Sequence, residues 1–297
     1  MNNCLIDVFL SQCQKQLFPQ HNASESQKTC FMLRYHPRNR DKPNSEVATG
    51  INKQLNNSFV SASMSATVAE VVKKAEKLWG EAMQADGVDL ALLHRERGWK
   101  PQPGDEWYPW QIIYKWLWEV EFPRQAGDLA GEIAQCGMTE FQMVKLEEKL
   151  KDRRGGLDIG EIEYCEDTIE KGERYILELA FQQTGYLLLL YEGEVEKKKE
   201  VMCLCPSRAY YLDGVIFEDK AVNLPQLRAP AKSLRFTEAG EEHFRAILTP
   251  QPLGLSWVRP DSNPKDFVVD AARLTEVWQA VGQQPEARVF YKNFVVR

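Results

Sequence analysis

The sequence has no long apolar run. No stretch approaches the roughly 20 consecutive apolar residues that a membrane-spanning helix needs. The first ten residues, MNNCLIDVFL, also lack the basic region, the long apolar core and the small-residue cleavage site of a secretory signal peptide. We therefore expect no membrane anchor and a cytoplasmic protein.

Cysteines are odd in number, seven among 297 residues, and lack the even, regular spacing of disulfide-stapled secreted domains. We therefore expect reduced thiols. Cys203 and Cys205 form a notable pair, because residues two apart on a strand point to the same face and could hold one metal ion or one redox partner. A structural zinc site usually needs four ligands, and the sequence offers no second Cys or His pair at metal spacing. Both thiols are expected to be small buried apolar residues, without a metal.

Histidine is scarce, with four residues in the chain, and this limits nucleophilic catalysis. A Cys or Ser nucleophile needs a nearby base, and no His lies in a protease-like or nucleophile-elbow sequence. The phosphate-binding patterns GxxxxGK[ST] and GxGxxG after a strand are also missing. We expect a non-enzymatic protein without a cofactor. A hydrolase in which a Cys or a carboxylate meets His94 or His243 is one alternative.

The charge balance is acidic, with a formal net charge of −6. Only residues 1–65 carry more Lys and Arg than Asp and Glu. This balance argues against a general affinity for phosphate backbones. The carboxylates of LDIGEIEYCEDTIEKGE lack the fixed ligand spacing of a calcium loop and indicate a solvated face.

Residues 1–64 are rich in Asn, Ser, Gln and Pro and show no sustained helical or strand period. Such a composition predicts a disordered leader. Order is expected to begin after Met64, where Thr67 and Glu70 form a capping-box pattern ahead of an amphipathic helix. Two alternatives remain: a translated disordered leader, or an over-extended reading frame with translation starting at Met64.

Residues 65–155 predict an aromatic-rich helical domain. Six of the eight tryptophans lie between Trp79 and Trp118. Large aromatic side chains anchor either cores or interfaces, and the core is the commoner place in a small helical unit. The candidates for a partner-binding surface, should any of them be exposed, are Trp107, Trp110, Trp116 and Trp118.

The segment 126–154 predicts two helices joined by a Cys-Gly turn, an arrangement similar to a helix-turn-helix. Basic residues such as Lys149 and Arg153 cluster late in the second helix, whereas Glu140 occupies its start. Recognition helices generally contact bases with their N-terminal residues, so helix capping by cations is the simpler account. A DNA-binding transcriptional regulator is nevertheless a second alternative function.

The pattern changes to strands after Gly155 and Gly156. RYILELAF alternates apolar and polar residues, and the apolar runs of GYLLLLY and KEVMCLCP flank the charged turn EGEVEKK. Shorter strand-like pieces follow, then a helical pattern in FVVDAARLTEVWQAVG and a closing strand in ARVFYKNFVVR. Residues 156–297 thus predict an antiparallel β-sandwich with a C-terminal helix and a closing strand, and the whole chain predicts an α+β protein.

Residues 157–297 resemble the bacterial family called domain of unknown function 4384. The resemblance rests on GERYILELAFQQTGYLLLLYEGE, on LCPS, on FTEAGEEHFRAILTPQPL and on the final helix and strand. The chain departs from the family in having Leu204-Cys205-Pro206-Ser207 where Phe-Pro-Asn is common, and in its highly charged EGEVEKKKE turn. The resemblance implies a β-sandwich accessory module of multidomain bacterial proteins, often beside caspase-like peptidase or kinase domains, and brings no site residues with it.

Together these observations predict a protein-interaction or regulatory accessory module in a bacterial signalling or stress system. The expected partner is another protein. Nucleic acid and membrane are not expected partners, and the sequence does not define the oligomeric state.

Overall fold

A computed structural model describes most of the chain. The described residues are 4–19, 24–56, 61–94, 108–133, 141–146, 163–165, 167–195, 198–259, 263 and 267–297. The chain divides into two compact units. The helical unit comprises Met1–Leu129 and Val281–Pro285, and the β unit comprises Ala130–Ala280 and Glu286–Arg297.

The first part of the chain is helical. Local sequence fixes several ends: the Ser24 hydroxyl accepts a hydrogen bond from the Gln27 amide at the start of α2, and Asn56 ends α3 in the left-handed conformation. A π turn, Leu117–Glu121, joins the last two helices, and short 3-10 turns occur at Pro37–Asn39 and Leu90–Leu93. The helices are α1 (Leu5–Leu17), α2 (Glu25–Arg34), α3 (Asn44–Leu55), α4 (Ser61–Ala85), α5 (Pro109–Trp116) and α6 (Phe122–Ile133).

The prediction of a disordered leader is wrong for the described residues of 4–56. Phe9 is fully buried, and its ring centroid lies 5.4 Å from that of Trp118 and 5.2 Å from that of Phe122. Met64 is buried as well, with its sulfur 4.0 Å from that of Cys30. Helices this short are marginal alone in water, and distant aromatic residues supply the apolar contacts that stabilise them. Helix α4 also begins before the predicted cap, because Thr67 already donates to the Ser63 carbonyl.

The second helix predicted within 126–154 is also wrong over its described part. Phe141–Lys145 forms strand β1, in which Phe141 and Met143 are buried and Gln142 is exposed. The strand pairs antiparallel with strand β4 (Arg174–Leu179), with Phe141 opposite Leu179 and Lys145 opposite Tyr175. The alternating FQMVK pattern, together with this pairing, outweighs helical propensity. The rest of that predicted helix lies outside the described residues.

Two sheets make up the β unit. In the first sheet the order is β2-β1-β4-β8, with β9 also paired to β4, and all pairs are antiparallel. Its strands are β1 (Phe141–Lys145), β2 (Glu163–Cys165), β4 (Arg174–Leu179), β8 (Val222–Leu224) and β9 (Leu234–Arg235).

The second sheet has the order β3-β11-β10-β5-β6, with β7 also paired to β5. Its pairs are antiparallel except β3 with β11, which is parallel. Helix α7 (Ala271–Gly282) precedes the last strand. The strands are β3 (Thr168–Ile169), β5 (Gly185–Val195), β6 (Lys198–Cys205), β7 (Val215–Ile216), β10 (Gly240–Thr249) and β11 (Arg288–Val296).

The core of the β unit follows the alternation of its strands. Tyr175, Leu177 and Leu179 of β4 are buried, as the sequence predicted. They belong to the same hydrophobic cluster as Leu187 of β5 and Phe244 of β10, so both sheets contribute to one core. The α+β class is confirmed, with an N-terminal helical region, antiparallel-rich sheets, and a C-terminal helix and strand. The sandwich arrangement itself stays a prediction.

The units are not continuous in sequence. The first segment of the helical unit ends at Leu129, rather than at residue 155 as predicted. A second segment, Val281–Pro285, also belongs to the helical unit and follows most strands of the β unit along the chain. Gly282 fits closely there, since a Cβ atom at this position would lie 2.9 Å from the ring of Phe122. None of the helices in the described residues has the length and apolar character that crossing a membrane requires.

Candidate functional site

The described tryptophans of the predicted partner surface are core residues. Trp110, Trp116 and Trp118 are 6%, 2% and 0% exposed, so a partner cannot reach them in this fold, which corrects the candidate surface. Two of their indole N–H groups donate hydrogen bonds within the helical unit. Trp116 donates to the Asp86 carboxylate at 2.8 Å, and Trp118 donates to the Tyr35 carbonyl at 2.9 Å. Trp107 lies outside the described residues.

The same-face argument for the two neighbouring cysteines is wrong. Leu189 pairs with Cys205 and Leu190 pairs with Cys203, so strand β6 has a bulge that adds one residue between the thiols. Cys203 donates to the carbonyl of Cys205, whereas Cys205 donates to the carbonyl of Leu187. Burial raises the pKa of Cys203 to about 12 and also raises the pKa of Cys205, so both are protonated thiols at neutral pH.

The histidines of the hydrolase alternative lie in different units. Exposed His94 contacts Glu76, with 2.6 Å between Nε2 and Oε1, in the helical unit. His243 hydrogen-bonds through Nδ1 to the hydroxyl of Tyr291 in the β unit. Each imidazole lies near a carboxylate, that of Glu76 for His94 and that of Glu241 for His243, with 3.8 Å between Nε2 and Oε2 in the second pair. In the part of the chain that the structure describes, neither imidazole hydrogen-bonds a Cys. The same residues contain no group of three or more His, Cys, Asp and Glu that could hold a metal ion.

The strongest candidate site is a concave pocket in the β unit with a volume of about 190 Å³. It lies where β5 begins and β10 ends, between the chain segments 206–214 and 249–258. Its walls are mainly aliphatic, and they include Leu187, Pro206, Leu212, Leu253 and Val258.

One wall depends on the close approach of Gly214 to strand β5. Gly214 has φ +64°, and a Cβ atom there would lie 3.1 Å from the Leu187 carbonyl oxygen. The Leu187 amide donates to the Gly214 carbonyl at 2.7 Å, and the Cys205 thiol donates to the Leu187 carbonyl at 3.3 Å. Glycine is required here both by the left-handed backbone and by the lack of space.

The opposite wall is tied to the end of β10 and to helix α7. The Thr249 hydroxyl donates to the Gln251 carbonyl at 2.7 Å and holds the chain as it leaves the strand. Further along, the amide and hydroxyl of Ser256 donate to the two carboxylate oxygens of Glu276 at 2.5 and 2.9 Å. The wall between these two anchors is therefore fixed at both ends.

Three polar side chains lie in the lining, those of Tyr186, Asp213 and Thr249. Asp213 is exposed and is the charged residue of the lining, and the half-buried Tyr186 contributes an aromatic ring. Among the described residues, the Asp213 carboxylate makes no hydrogen bond or ion pair. The lining contains no Cys, Ser, His or Lys.

The sequence did not predict this site. The segments YLDG and TPQPLGL are far apart in the chain, and nothing in their residues shows that they meet. The local signal was Gly214 after Asp213, a dipeptide typical of a turn with positive φ. The pairing of β5 with both β7 and β10 brings the two segments together, and that information is not local.

The chain was compared with protein families, curated proteins and solved structures. No protein-family model matches the chain. No curated protein matches either. Among solved structures, the chain was aligned with the Pseudomonas fluorescens alkylpurine DNA glycosylase AlkC bound to DNA containing an abasic site analog. The alignment covers 99% of this chain and 67% of that chain, with 11% sequence identity and a TM-score of 0.14.

Proposed function

We propose that the protein is a non-enzymatic, cytoplasmic interaction module whose β unit holds an anchoring side chain of a partner protein in a mainly aliphatic pocket. The observation that carries this proposal is the pocket itself. It is concave, and most of the side chains that line it are aliphatic. Such pockets accept the anchor residue of a partner, and a few anchors dominate the affinity of most protein interfaces.

The expected contribution of this anchor is moderate. Burying one Leu-sized side chain stabilises a complex by about 1.5–3 kcal/mol. Since association costs several kcal/mol in lost freedom of motion, one pocket alone binds only weakly. The surface of the β unit around the pocket must therefore contact the partner as well, as it does in most interfaces with one dominant anchor.

The resemblance of residues 157–297 to domain of unknown function 4384 supports the same proposal. Members of that family are accessory modules of multidomain bacterial proteins and have no established activity. We therefore place the module in a bacterial signalling or stress system, where it recruits or regulates another protein.

Affinity capture from the native host tests the proposal. The bait is the tagged full chain, and its pocket variant is Leu253→Glu, which puts a carboxylate on the aliphatic wall. Leu227→Glu is the matched control, because Leu227 is 93% exposed and does not line the pocket. We expect a protein that the wild type and Leu227→Glu retain and that Leu253→Glu loses.

Retention of the same proteins by Leu253→Glu contradicts the proposal, provided that the variant is folded. Circular dichroism and the melting temperature check the folding. If Leu253→Glu unfolds, Pro252→Glu replaces it, because Pro252 lines the pocket and is exposed.

A further inference from the structure

We infer that the pocket accepts a lysine side chain of the partner protein. This inference rests on the proposed function and names the anchor that the function requires. Three features of the lining carry it together: the aliphatic walls, the carboxylate of Asp213 and the aromatic ring of Tyr186.

The aliphatic walls fit the stem of lysine. A cavity of ~150 Å³ is large enough to hold a benzene molecule, and the pocket has a volume of about 190 Å³. The four methylenes of a lysine side chain therefore have room between Leu212, Leu253 and Val258. Lysine readily buries this stem against apolar surface while its charged end stays in contact with water.

The polar groups fit the ammonium end of the side chain. Asp213 is exposed, so it can meet a cation without the cost of burying a charge. An aromatic ring attracts a cation placed over its face, and Tyr186 supplies such a ring in the lining. A carboxylate and an aromatic ring both disfavour an anionic side chain, and a neutral apolar one would leave Asp213 unused.

Lysine suits this lining better than arginine. A guanidinium has five donors in a rigid plane, and it needs several fixed acceptors to replace its hydration. The lining offers one carboxylate, that of Asp213. A compact ammonium with three donors can satisfy itself with Asp213 and water. The net charge of −6 further favours approach of a basic partner.

Binding of two small probes to the full chain tests the inference. The probes are the N-acetyl methylamides of lysine and of norleucine, which share the aliphatic stem and differ in the ammonium group. Chemical shifts of the Leu and Val methyl groups of the pocket report the binding. Since an exposed ion pair contributes little, we expect the lysine probe to bind only about three- to fivefold more tightly at low salt.

Three variants complete the experiment. Asp213→Asn is expected to abolish the preference for lysine and to leave norleucine binding unchanged. Leu253→Glu is expected to remove the binding of norleucine, and Leu227→Glu is expected to change neither probe. Raising the salt concentration should reduce the preference, because exposed charges are screened.

The outcomes separate this inference from the proposed function. Equal binding of both probes to the wild type overturns the lysine anchor and leaves the apolar pocket of the proposed function intact. A preference that persists in Asp213→Asn also overturns the inference, since the cation is then recognised elsewhere. Saturable binding of free n-hexylammonium without any binding of the lysine probe points to a small amine and overturns it too.

Discussion

The hydroxyl of Tyr191 donates a hydrogen bond of 2.6 Å to the carboxylate of Glu242, in the interior of the β unit. The two residues lie on the adjacent strands β5 and β10, and Glu242 is only 2% exposed. Gly193 makes the pairing possible. A Cβ atom at that position would lie 2.1 Å from both the Tyr191 hydroxyl and the Glu242 oxygen.

Gly193→Ala is therefore expected to lower the free energy of unfolding. The added methyl group would displace one partner of a buried hydrogen bond, and overpacking of this kind costs about 1–3 kcal/mol. Urea denaturation followed by circular dichroism measures the change.

Gly131→Ala is the matched control, since a Cβ atom there meets nothing within 4 Å and Gly131 lies within helix α6. Alanine is the better helix former by about 0.5–1 kcal/mol, so the same substitution should raise stability at this site. A Gly193→Ala variant as stable as the wild type would show that the strand can relax around the methyl group.

The protein is expected to lose stability at alkaline pH because of its buried tyrosines. Burial raises the pKa of Tyr114 to about 12, and burial also raises the pKa of Tyr35 and Tyr191. In the unfolded chain tyrosine titrates near pH 10. Between these values the unfolded state loses protons that the folded state keeps, so the stability falls as the pH rises above about 10.

Melting temperatures measured between about pH 8 and pH 11 check this expectation. Tyr114→Phe should make the alkaline decline shallower. It should not lower stability at neutral pH, because the buried Tyr114 hydroxyl has no hydrogen-bond partner among the residues that the structure describes. Tyr108→Phe is the control, since Tyr108 is 57% exposed. An identical pH profile for the wild type and Tyr114→Phe would contradict the assignment.

A chain that starts at Met64 is expected to be strongly destabilised. It lacks α1, α2 and α3, and with them the side chains of Phe9 and Phe31 that contact Trp118 and Trp79. Removing one such buried Phe costs about 3–5 kcal/mol. The tryptophan emission of the shortened chain should shift to longer wavelength relative to the full chain.

The intact mass of the protein from its own host tests the alternative start directly. We expect a mass that includes α1, because the described core uses its residues. A mass that begins at Met64, with a blue-shifted emission and a cooperative melt, would show that the helical unit folds without them.

Cys203 and Cys205 are expected to resist alkylation in the folded protein. Both are completely buried, and burial raises the pKa of each thiol, so the reactive thiolate is scarce at neutral pH. Mass spectrometry after a brief treatment with iodoacetamide should find their peptide unmodified. The same treatment in guanidinium chloride is the control and should modify both. Rapid labelling of the folded protein would mean that β6 opens frequently.

The strands after residue 168 were predictable because each carries its own signal. The alternation of RYILELAF gives β4, and the apolar run of GYLLLLY gives a strand buried on both faces. The early helices were missed because their apolar residues are diluted by Asn, Gln and Ser, and their burial depends on aromatic residues about a hundred positions later. No local pattern reports such contacts.

The site was less predictable than the fold. The bulge between Cys203 and Cys205 turns the Cys205 side chain to the other face of the sheet from the one that strict alternation gives. It is visible only in the pairing of β6 with β5. The pocket likewise depends on two turns that are adjacent in space and distant in sequence.

Because Val281–Pro285 belongs to the helical unit, one cut of the polypeptide cannot separate the two units cleanly. Along the chain, a segment of the helical unit is followed by a segment of the β unit, then by a second segment of the helical unit, and finally by strand β11 of the β unit. A single proteolytic cut after Leu129 therefore gives a first fragment that lacks part of the helical unit and a second fragment that holds the whole β unit together with Val281–Pro285. The first fragment lacks Gly282, and with it the backbone that lies against the ring of Phe122. Neither fragment alone is the complete helical unit and nothing else.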